Sequence, residues 1–445
     1  MNNLQLKLSL FFLFVLGCLM PVSFLLIKFT KKIVISFLSF IFFLLKKIFS
    51  ISLKEEKIKH LKICRKKKKK EKNIFYQQSK QLECELMNFN ISAKVIEFCH
   101  GPVITRFYLK LAPGVRIKQI SNLSQDLACS LSTQKIKIIE SIHEKPYIGI
   151  DILNKNREII NLISIINCNK FKKNQTKIPI LLGKDVEGKL LIKNLETMPH
   201  LLVAGSTGSG KSMWINSMII SILYKKKPKD IQFIIIDPKI LEFSIYQGIP
   251  HLINNIITNI QDSIEILKWC IQEMERRFNI MNFLQVKNLK NFNNKIKKIK
   301  NKKKLNKLIL KTNNFKKTLK KEPYIIIIID EFADLIMQNK EIVPLIIKLV
   351  QKSRASGIHI ILSTQRPSAN IINGLIKANI PSRIAFTVSS KIESRIILDQ
   401  DGAESLTGKG DMLYLPQNSS IPIRAHSPFI KEEEIKKIVN FFKKN

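Results

Sequence analysis

The residues best suited to chemistry lie together in one short stretch, LLVAGSTGSGKSMW, at residues 201–214. Within it, GSTGSGKS fits the phosphate-binding loop G-x-x-x-x-G-K-[ST]. Glycines let backbone N–H groups turn inward around a polyphosphate, and the N-terminus of the following helix adds partial positive charge. We therefore predict a nucleotide site for ATP and Mg²⁺. Its binding residues are Gly205, Ser206, Thr207, Gly208, Ser209, Gly210, Lys211, Ser212 and Met213.

Two acidic residues complete the predicted hydrolytic site. Lys211 would neutralise the β- and γ-phosphates, and the Ser212 hydroxyl would ligate Mg²⁺. The apolar run YIIIIID ends in Asp330 and Glu331. Asp330 would hold Mg²⁺ through water, and Glu331 would polarise the attacking water as a general base. Asp237, at the end of FIIID, is a rival for the role of Asp330 and ranks lower because no second acid follows it.

Other polar candidates follow later strands. Gln365, in STQRP, could sense the γ-phosphate with its amide, and a simple loop cap fits the spacing equally well. Candidates for stabilising charge in the transition state are Arg354, Arg383 and Arg395. In SSKIESR, Lys391 and Arg395 lie four residues apart on one helix face. They could bind a phosphate backbone, or they could belong to an ordinary solvated surface.

The elements that must position these residues show a clear pattern. Apolar runs of β-branched residues recur between helical segments at 201–204, 324–330, 358–364 and 383–388. Near-continuous apolar strands alternating with helices indicate a parallel sheet buried on both faces. With the phosphate loop, this pattern predicts an α/β, RecA-like nucleotide-hydrolysing domain at 184–445.

A smaller domain is predicted before this nucleotide-hydrolysing domain in the chain. From 81 to 183 the sequence has short β-type runs separated by turns, and one amphipathic helix near 120–132 interrupts them. This pattern indicates a small α+β domain without a catalytic constellation of its own.

The N-terminal region, 1–50, is predicted to be a membrane anchor. Residues 8–27 carry no charge and would span ~30 Å as a helix. We favour an uncleaved transmembrane helix over a signal peptide, because lysines follow and no small-residue cleavage site does. A second run at 33–45 is short and would lie in the interface or form a hairpin. Residues 51–80 read as a basic linker that contacts lipid headgroups.

Composition adds weaker arguments. Lys and Arg total 75 against 34 acids, a net charge of +41, which favours a polyanionic partner. A/T-rich codon bias would raise the charge as well. The Lys/Asn-rich insertion at 285–321 is interpreted as a solvated, low-complexity segment rather than a DNA-binding arm. The seven cysteines include no C-x-x-C pair, which argues against a zinc site or a disulfide framework.

The longer motifs resemble the FtsK/SpoIIIE family of bacterial DNA translocases. The resemblance covers about 95–440 and rests on MPHLLVAGSTGSGKS, FIIIDPKILEFSIYQGIPHL, WCIQEMERRF, KKEPYIIIIIDEFADL, GIHIILSTQRPS and GKGDMLY, with GPVITRFYLKLAPGV in the preceding domain. It implies a homohexameric ring that pumps double-stranded DNA. It also implies an inner-membrane anchor at the division septum, a motor in the cytoplasm and contacts with septal division proteins.

The resemblance also implies roles for individual residues. The ATPase roles fall to Lys211, Ser212, Asp330 and Glu331, and Arg354 becomes the preferred finger acting on a neighbour's nucleotide. The channel-facing DNA contacts would be Lys377, Lys391 and Arg395.

Three departures from the family pattern qualify these expectations. The membrane region is short, the usual long linker is nearly absent, and the sequence ends at Asn445, where the family usually carries a winged-helix domain. Contact with a recombinase is therefore not expected. Two other functions stay open, namely a septal scaffold that no longer pumps and a related conjugation or packaging motor.

Overall fold

The computed structural model describes residues 75–133, 135–140, 146–240, 242–298 and 320–444. Within these ranges, no helix is both long and apolar enough to cross a membrane. The apolar runs predicted at 8–27 and 33–45 lie outside them. The last residues of the predicted basic linker belong instead to a helix, which begins at 75 in the described chain.

The small domain is a four-stranded antiparallel sheet that shares one apolar core with its helices. Its elements are α1 (75–88), β1 (Ala93–His100), β2 (Ile104–Leu111), α2 (Ile117–Asn122), α3 (Ser124–Ser130), β3 (Ile136–Ile139) and β4 (Ile148–Leu153). The strand order is β1-β2-β4-β3. The single helix predicted near 120–132 is two short helices, because the helical hydrogen bonding is interrupted at Leu123.

The large domain carries the motifs. Its elements are α4 (Leu162–Asn167), α5 (Asn169–Lys172), β5 (Pro179–Asp185), β6 (Leu190–Asn194), β7 (His200–Ala204), α6 (Lys211–Lys225), β8 (Ile231–Ile236), a 3₁₀ turn (Ser244–Tyr246), α7 (Ile260–Phe283), α8 (Leu289–Lys298), β9 (Tyr324–Ile329), α9 (Phe332–Gln338), α10 (Ile342–Lys352), β10 (Ile358–Thr364), α11 (Gly374–Asn379), β11 (Arg383–Phe386), α12 (Lys391–Leu398), β12 (Asp411–Leu415), β13 (Ile423–His426) and α13 (Glu432–Lys444).

One nine-stranded sheet organises this domain, in the order β6-β5-β13-β12-β11-β7-β10-β9-β8. The five strands from β11 to β8 are parallel, as predicted, and the other four extend the sheet with antiparallel pairs. Alternate residues of the parallel strands enter two separate cores, one on each face. Because β7, β10, β9 and β8 are parallel, their carboxyl ends lie at one edge, where a ligand site is expected.

One predicted domain boundary differs from the structure. The division between 183 and 184 falls inside β5, which pairs with β6 and β13 of the large sheet. The small sheet ends at Leu153, and the chain packs into the large core from Ile160 onward. An apolar strand at 179–185 looks the same in sequence whichever sheet it joins, so its partner could not be read from its composition.

The predicted solvated insertion is also partly packed. Its helix α8 buries Leu289 and Phe292 in the large core. Asn293 and Glu322 form a two-bond clamp, in which Asn293 Nδ2 donates to the Glu322 carbonyl at 2.9 Å and the Glu322 N–H donates to Asn293 Oδ1 at 3.0 Å. Residues 299–319, between the two, lie outside the described ranges.

Candidate functional site

The phosphate loop connects the end of β7 to the start of α6 and follows a backbone path that requires glycine. Gly210 has φ 104°, and a β-carbon there would lie 2.5 Å from the backbone nitrogen of Gly410. At Gly205 a β-carbon would lie 2.5 Å from Cβ of Phe386. The loop is therefore wedged between β11 and the residues just before β12, and it leads into α6 as the sequence predicted.

Lys211 begins α6 and points into a buried polar group. Its Nζ donates to Asp330 Oδ1 at 2.9 Å and to Ser363 Oγ at 2.6 Å, and the Ser363 hydroxyl donates to Asp330 Oδ1 at 2.9 Å. Only 3% of the Lys211 side chain and 1% of the Asp330 side chain are exposed. Two residues that lie 119 positions apart in the chain thus meet at one point, as the phosphate-loop interpretation requires.

The donor set beside Lys211 fits Mg²⁺. Asp330 Oδ1 lies 2.9 Å from Lys211 Nζ, so a carboxylate belongs to the site, and the hydroxyl of Ser212, the next residue after Lys211, stays the predicted second ligand. Hard oxygen ligands of this kind, completed by water and phosphate, are what Mg²⁺ takes in nucleotide sites.

Glu331 is buried and held by three donors. It accepts the Thr364 hydroxyl at 2.7 Å, the Gln365 N–H at 3.1 Å and the Lys239 ammonium at 3.4 Å. Its backbone lies in the left-handed region, with φ 44°, which a non-glycine residue adopts only when its surroundings impose it. Burial lowers the pKa of Lys239, but the Glu331 and Asp334 carboxylates outweigh that and leave it raised.

Gln365 lies between the phosphate loop and Glu331. Its side-chain oxygen accepts the Thr207 hydroxyl at 2.7 Å, and its backbone N–H donates to Glu331. Gln365 therefore contacts the phosphate loop through its side chain and Glu331 through its backbone, and both interpretations of its role stay open.

Asp237, the rival acid, has a different environment. Its carboxylate accepts four backbone N–H groups from its own loop, those of Lys239, Ile240, Glu242 and Phe243. A carboxylate saturated in this way holds the loop in shape. It is not available as a metal ligand without breaking those bonds.

The candidate arginines have different environments. Arg354 is exposed and precedes β10, at the edge of the sheet opposite the phosphate loop, and β10 is roughly 20 Å long. Arg383 is buried and donates to the carbonyls of Ile380, Ile397 and Lys377. These bonds give Arg383 a structural role.

The predicted DNA contacts lie on α11 and α12. Ser390 caps α12 in a capping box with Glu393. Two of these basic residues have acidic partners that were not predicted from the sequence. Lys377 Nζ lies 2.6 Å from Asp399, and Arg395 Nε lies 2.6 Å from Asp401. Hydrogen bonds from Arg395 lower the pKa of the Asp401 carboxyl, and the charge of Lys391 adds to this.

Sequence reasoning passed over three residues that complete the site, namely Lys239, Ser363 and Thr364. A signal was present for each. Ser363 and Thr364 end β10 immediately before Gln365, and Lys239 follows β8, so all three come from carboxyl ends of parallel strands.

This fold and this site define a P-loop ATPase motor domain preceded by a small α+β domain. The FtsK/SpoIIIE family profile matches residues 161–369, and the FtsK alpha domain profile matches residues 57–154. The DNA translocase FtsK of Haemophilus influenzae is 48% identical over 363 residues, 80% of this chain and 69% of that protein. The chain belongs to the FtsK/SpoIIIE family.

Two other comparisons extend this result. The DNA translocase FtsK of Vibrio vulnificus is 45% identical over 411 residues, 90% of this chain. The match spans 42% of that relative's length, so this chain corresponds to less than half of that protein. Among solved structures, the pCW3 conjugation coupling protein TcpA aligns with TM-score 0.52 at 20% identity, over 82% of this chain and 99% of that one. That likeness concerns the fold alone.

Proposed function

We propose that the protein is an ATP-driven motor that moves double-stranded DNA, assembled as a homohexameric ring. The observation that carries the proposal is the buried group of Lys211, Asp330 and Ser363 beside the phosphate loop, with Glu331 next to it. Such a group has the parts that phosphoryl transfer needs, namely a cation for the phosphates, a metal carboxylate and a base.

In the proposed reaction, Lys211 would exchange its Asp330 partner for the β- and γ-phosphate oxygens. When bound between Ser212 and Asp330, Mg²⁺ supplies charge neutralisation to those oxygens. Glu331 would accept a proton from the attacking water, since Lys239 and Thr364 already hold its carboxylate in place. Gln365 would sense the γ-phosphate from its position beside Thr207.

The remaining parts of the proposal concern partners and location. Lys377, Lys391 and Arg395 would contact the DNA backbone, and Arg354 would act on the nucleotide of a neighbouring chain. Residues 1–50 would anchor the motor in the inner membrane at the division septum, in contact with lipids and septal division proteins. The apolar run at 8–27 and the family membership support this part.

ATPase activity of the full chain, measured with and without duplex DNA, tests the proposal. We expect hydrolysis that duplex DNA stimulates, and none from the Lys211→Ala variant. No hydrolysis under either condition would refute the motor and leave a scaffold role. Hydrolysis indifferent to DNA would refute the coupling to DNA while leaving the ATPase intact.

A further inference from the structure

Residues 402–411, which we name the bridge segment, touch the small domain at one end. Lys137 Nζ donates to the Gly402 carbonyl at 3.2 Å. Lys135 Nζ donates to the carbonyls of Glu404 at 3.1 Å and Leu406 at 3.4 Å. Both lysines belong to or directly precede β3, so the small sheet holds the backbone of the bridge segment at three points.

A buried ionic cluster forms the second connection. Arg424, on β13, donates to Asp411 Oδ2 at 2.6 Å and to Asp151 Oδ2 at 2.9 Å. Asp151 belongs to β4 of the small sheet and also accepts Arg106 Nε at 2.6 Å. At most 5% of each of Arg424, Asp411 and Asp151 is exposed. Against the cost of burial, Arg106 and Arg424 hold the pKa of the Asp151 carboxyl below its usual range, and Arg424 does the same for the pKa of Asp411.

The other end of the bridge segment lies against the phosphate loop. Asp411 accepts the Thr407 N–H at 2.9 Å, which closes a tight loop over the three residues between them. All three residues have positive φ, and Lys409 is not a glycine. At the end of this loop the Gly410 N–H donates to the Ser209 carbonyl at 2.8 Å. The Gly410 backbone also occupies the space that a β-carbon on Gly210 would need.

We infer that the bridge segment couples the placement of the small domain to the phosphate loop, with Asp151, Arg424 and Asp411 as positioning residues for ATP hydrolysis. Close-packed segments with a strained backbone transmit a displacement rather than absorb it. The kinetic part of this inference rests on the proposed ATPase function. The mechanical part does not, since it concerns only contacts between segments.

Two sets of variants of the full chain test the coupling. Asp151→Asn removes the central charge with almost no change in shape. The double variant Lys135→Ala with Lys137→Met cuts the other connection, because it removes the three hydrogen bonds from these lysines to the bridge segment. Lys110→Ala, at an exposed lysine of the same sheet, is the matched control.

Amide hydrogen exchange is the first readout. In Asp151→Asn and in the double variant, we expect faster exchange at 402–411 and also at 205–212, and no change in Lys110→Ala. Faster exchange confined to 402–411 would overturn the inference. This measurement does not depend on hydrolysis, so it distinguishes failure of the coupling from failure of the proposed function.

Steady-state ATPase kinetics, at a temperature where each variant is fully folded, are the second readout. We expect kcat to fall about tenfold while KM for ATP changes much less, because a displaced loop weakens transition-state contacts more than binding. A lower Tm with unchanged kcat would show that the cluster only joins the two domains, and would refute the positioning role.

Discussion

Two buried acids follow neighbouring strands of the large sheet and have different surroundings. Asp237 accepts four backbone N–H groups, whereas Glu331 accepts a hydroxyl, one backbone N–H and the Lys239 ammonium. An acid that holds its own loop contributes to stability. An acid beside the residues proposed to bind Mg²⁺ and phosphate can instead act on water, so the different hydrogen-bond donors support different proposed roles for the two acids.

Substituting each acid by its amide should separate these roles experimentally. In Glu331→Gln we expect kcat to fall by about 10²-fold or more while ATP still binds, because the base is lost and the metal ligands remain. In Asp237→Asn we expect kcat to persist and Tm to fall, since hydrogen bonds to a charged acceptor are worth about 1.5–3 kcal/mol. Phosphate release, nucleotide binding and thermal unfolding measure the three quantities. The opposite pattern would exchange the two assignments.

At the scale of elements, the features that depend on local residue spacing could be predicted from the sequence. The path from β7 through the phosphate loop to α6, and the acids after β9, follow from runs of a few residues. The antiparallel extension does not, because it pairs Ala425 with Asp185, far away in the chain. The same holds for Arg424 and Asp151, which are 273 positions apart.

The acids beside Arg395 were not predicted as its partners, although the local sequence contained a signal for them. Asp399 and Asp401 lie within six residues of Arg395, and the helix that carries Arg395 ends at Leu398. The chain therefore turns back beside the helix and brings an acid to the arginine. Spacing along a helix predicts which residues share a face, and it does not predict which side chains approach that face from the next loop.

The starts of β7 and β10 carry a buried pair of histidines that should make the protein acid-sensitive. Burial lowers the pKa of His359 to about 4 and that of His200 to about 3. Their imidazoles stay neutral in the folded protein, whereas the unfolded chain takes up protons below about pH 6.5. The free energy of unfolding should therefore fall as the pH drops from about 6.5 toward 4, by on the order of 3 kcal/mol for His359 alone.

The variant His359→Gln tests this prediction. Its amide can still donate to the Pro199 carbonyl, which His359 Nδ1 contacts at 2.8 Å, and it does not titrate. We expect a shallower fall of Tm between pH 7 and pH 4.5 than in the unmodified chain. The charged neighbours Glu196, Arg277 and Arg354 remain in both proteins. Identical pH profiles would assign the acid sensitivity to other groups.

At the scale of the whole molecule, the separation of Arg354 from the phosphate loop has a direct consequence. Arg354 precedes β10 while the loop follows the carboxyl end of β7, so a chain cannot bring its own Arg354 to its own nucleotide. If this arginine stabilises the transition state, it does so in a neighbouring chain. Removing such an arginine costs about 10³-fold or more in kcat.

Mixing two inactive variants tests this arrangement. Arg354→Ala keeps an intact phosphate loop, and Lys211→Ala keeps an intact arginine. Each alone should be inactive, and a mixture should recover part of the activity wherever an intact loop faces an intact arginine. Lys352→Ala, at an exposed cation two residues from Arg354, is the control and should stay active. Failure of the mixture to recover activity would refute the action between chains.

The ion pairs of the proposed DNA-binding face should limit its affinity. Arg395 and Asp401 are both well exposed, and such pairs are worth little, so DNA phosphates compete with Asp401. We expect Asp401→Asn to tighten duplex binding a few-fold, and Lys391→Ala to weaken it and to reduce the slope of log K against log salt by about 0.9. Titrations with two unrelated duplexes at several salt concentrations measure this. Weaker binding by Asp401→Asn would contradict the assignment.

The clamp between Asn293 and Glu322 has a practical consequence for the Lys/Asn-rich stretch that it closes. The entropy cost of a closed loop grows slowly, by about 0.6 kcal/mol for each doubling of length. Two hydrogen bonds and the packed helix α8 fix the ends of this stretch. The entropy cost of lengthening it therefore does not lower the stability of the rest of the large domain. We therefore expect the large domain to keep its folding stability when a fluorescent reporter or an affinity tag is inserted between Asn293 and Glu322 with the clamp intact, and thermal unfolding measures this.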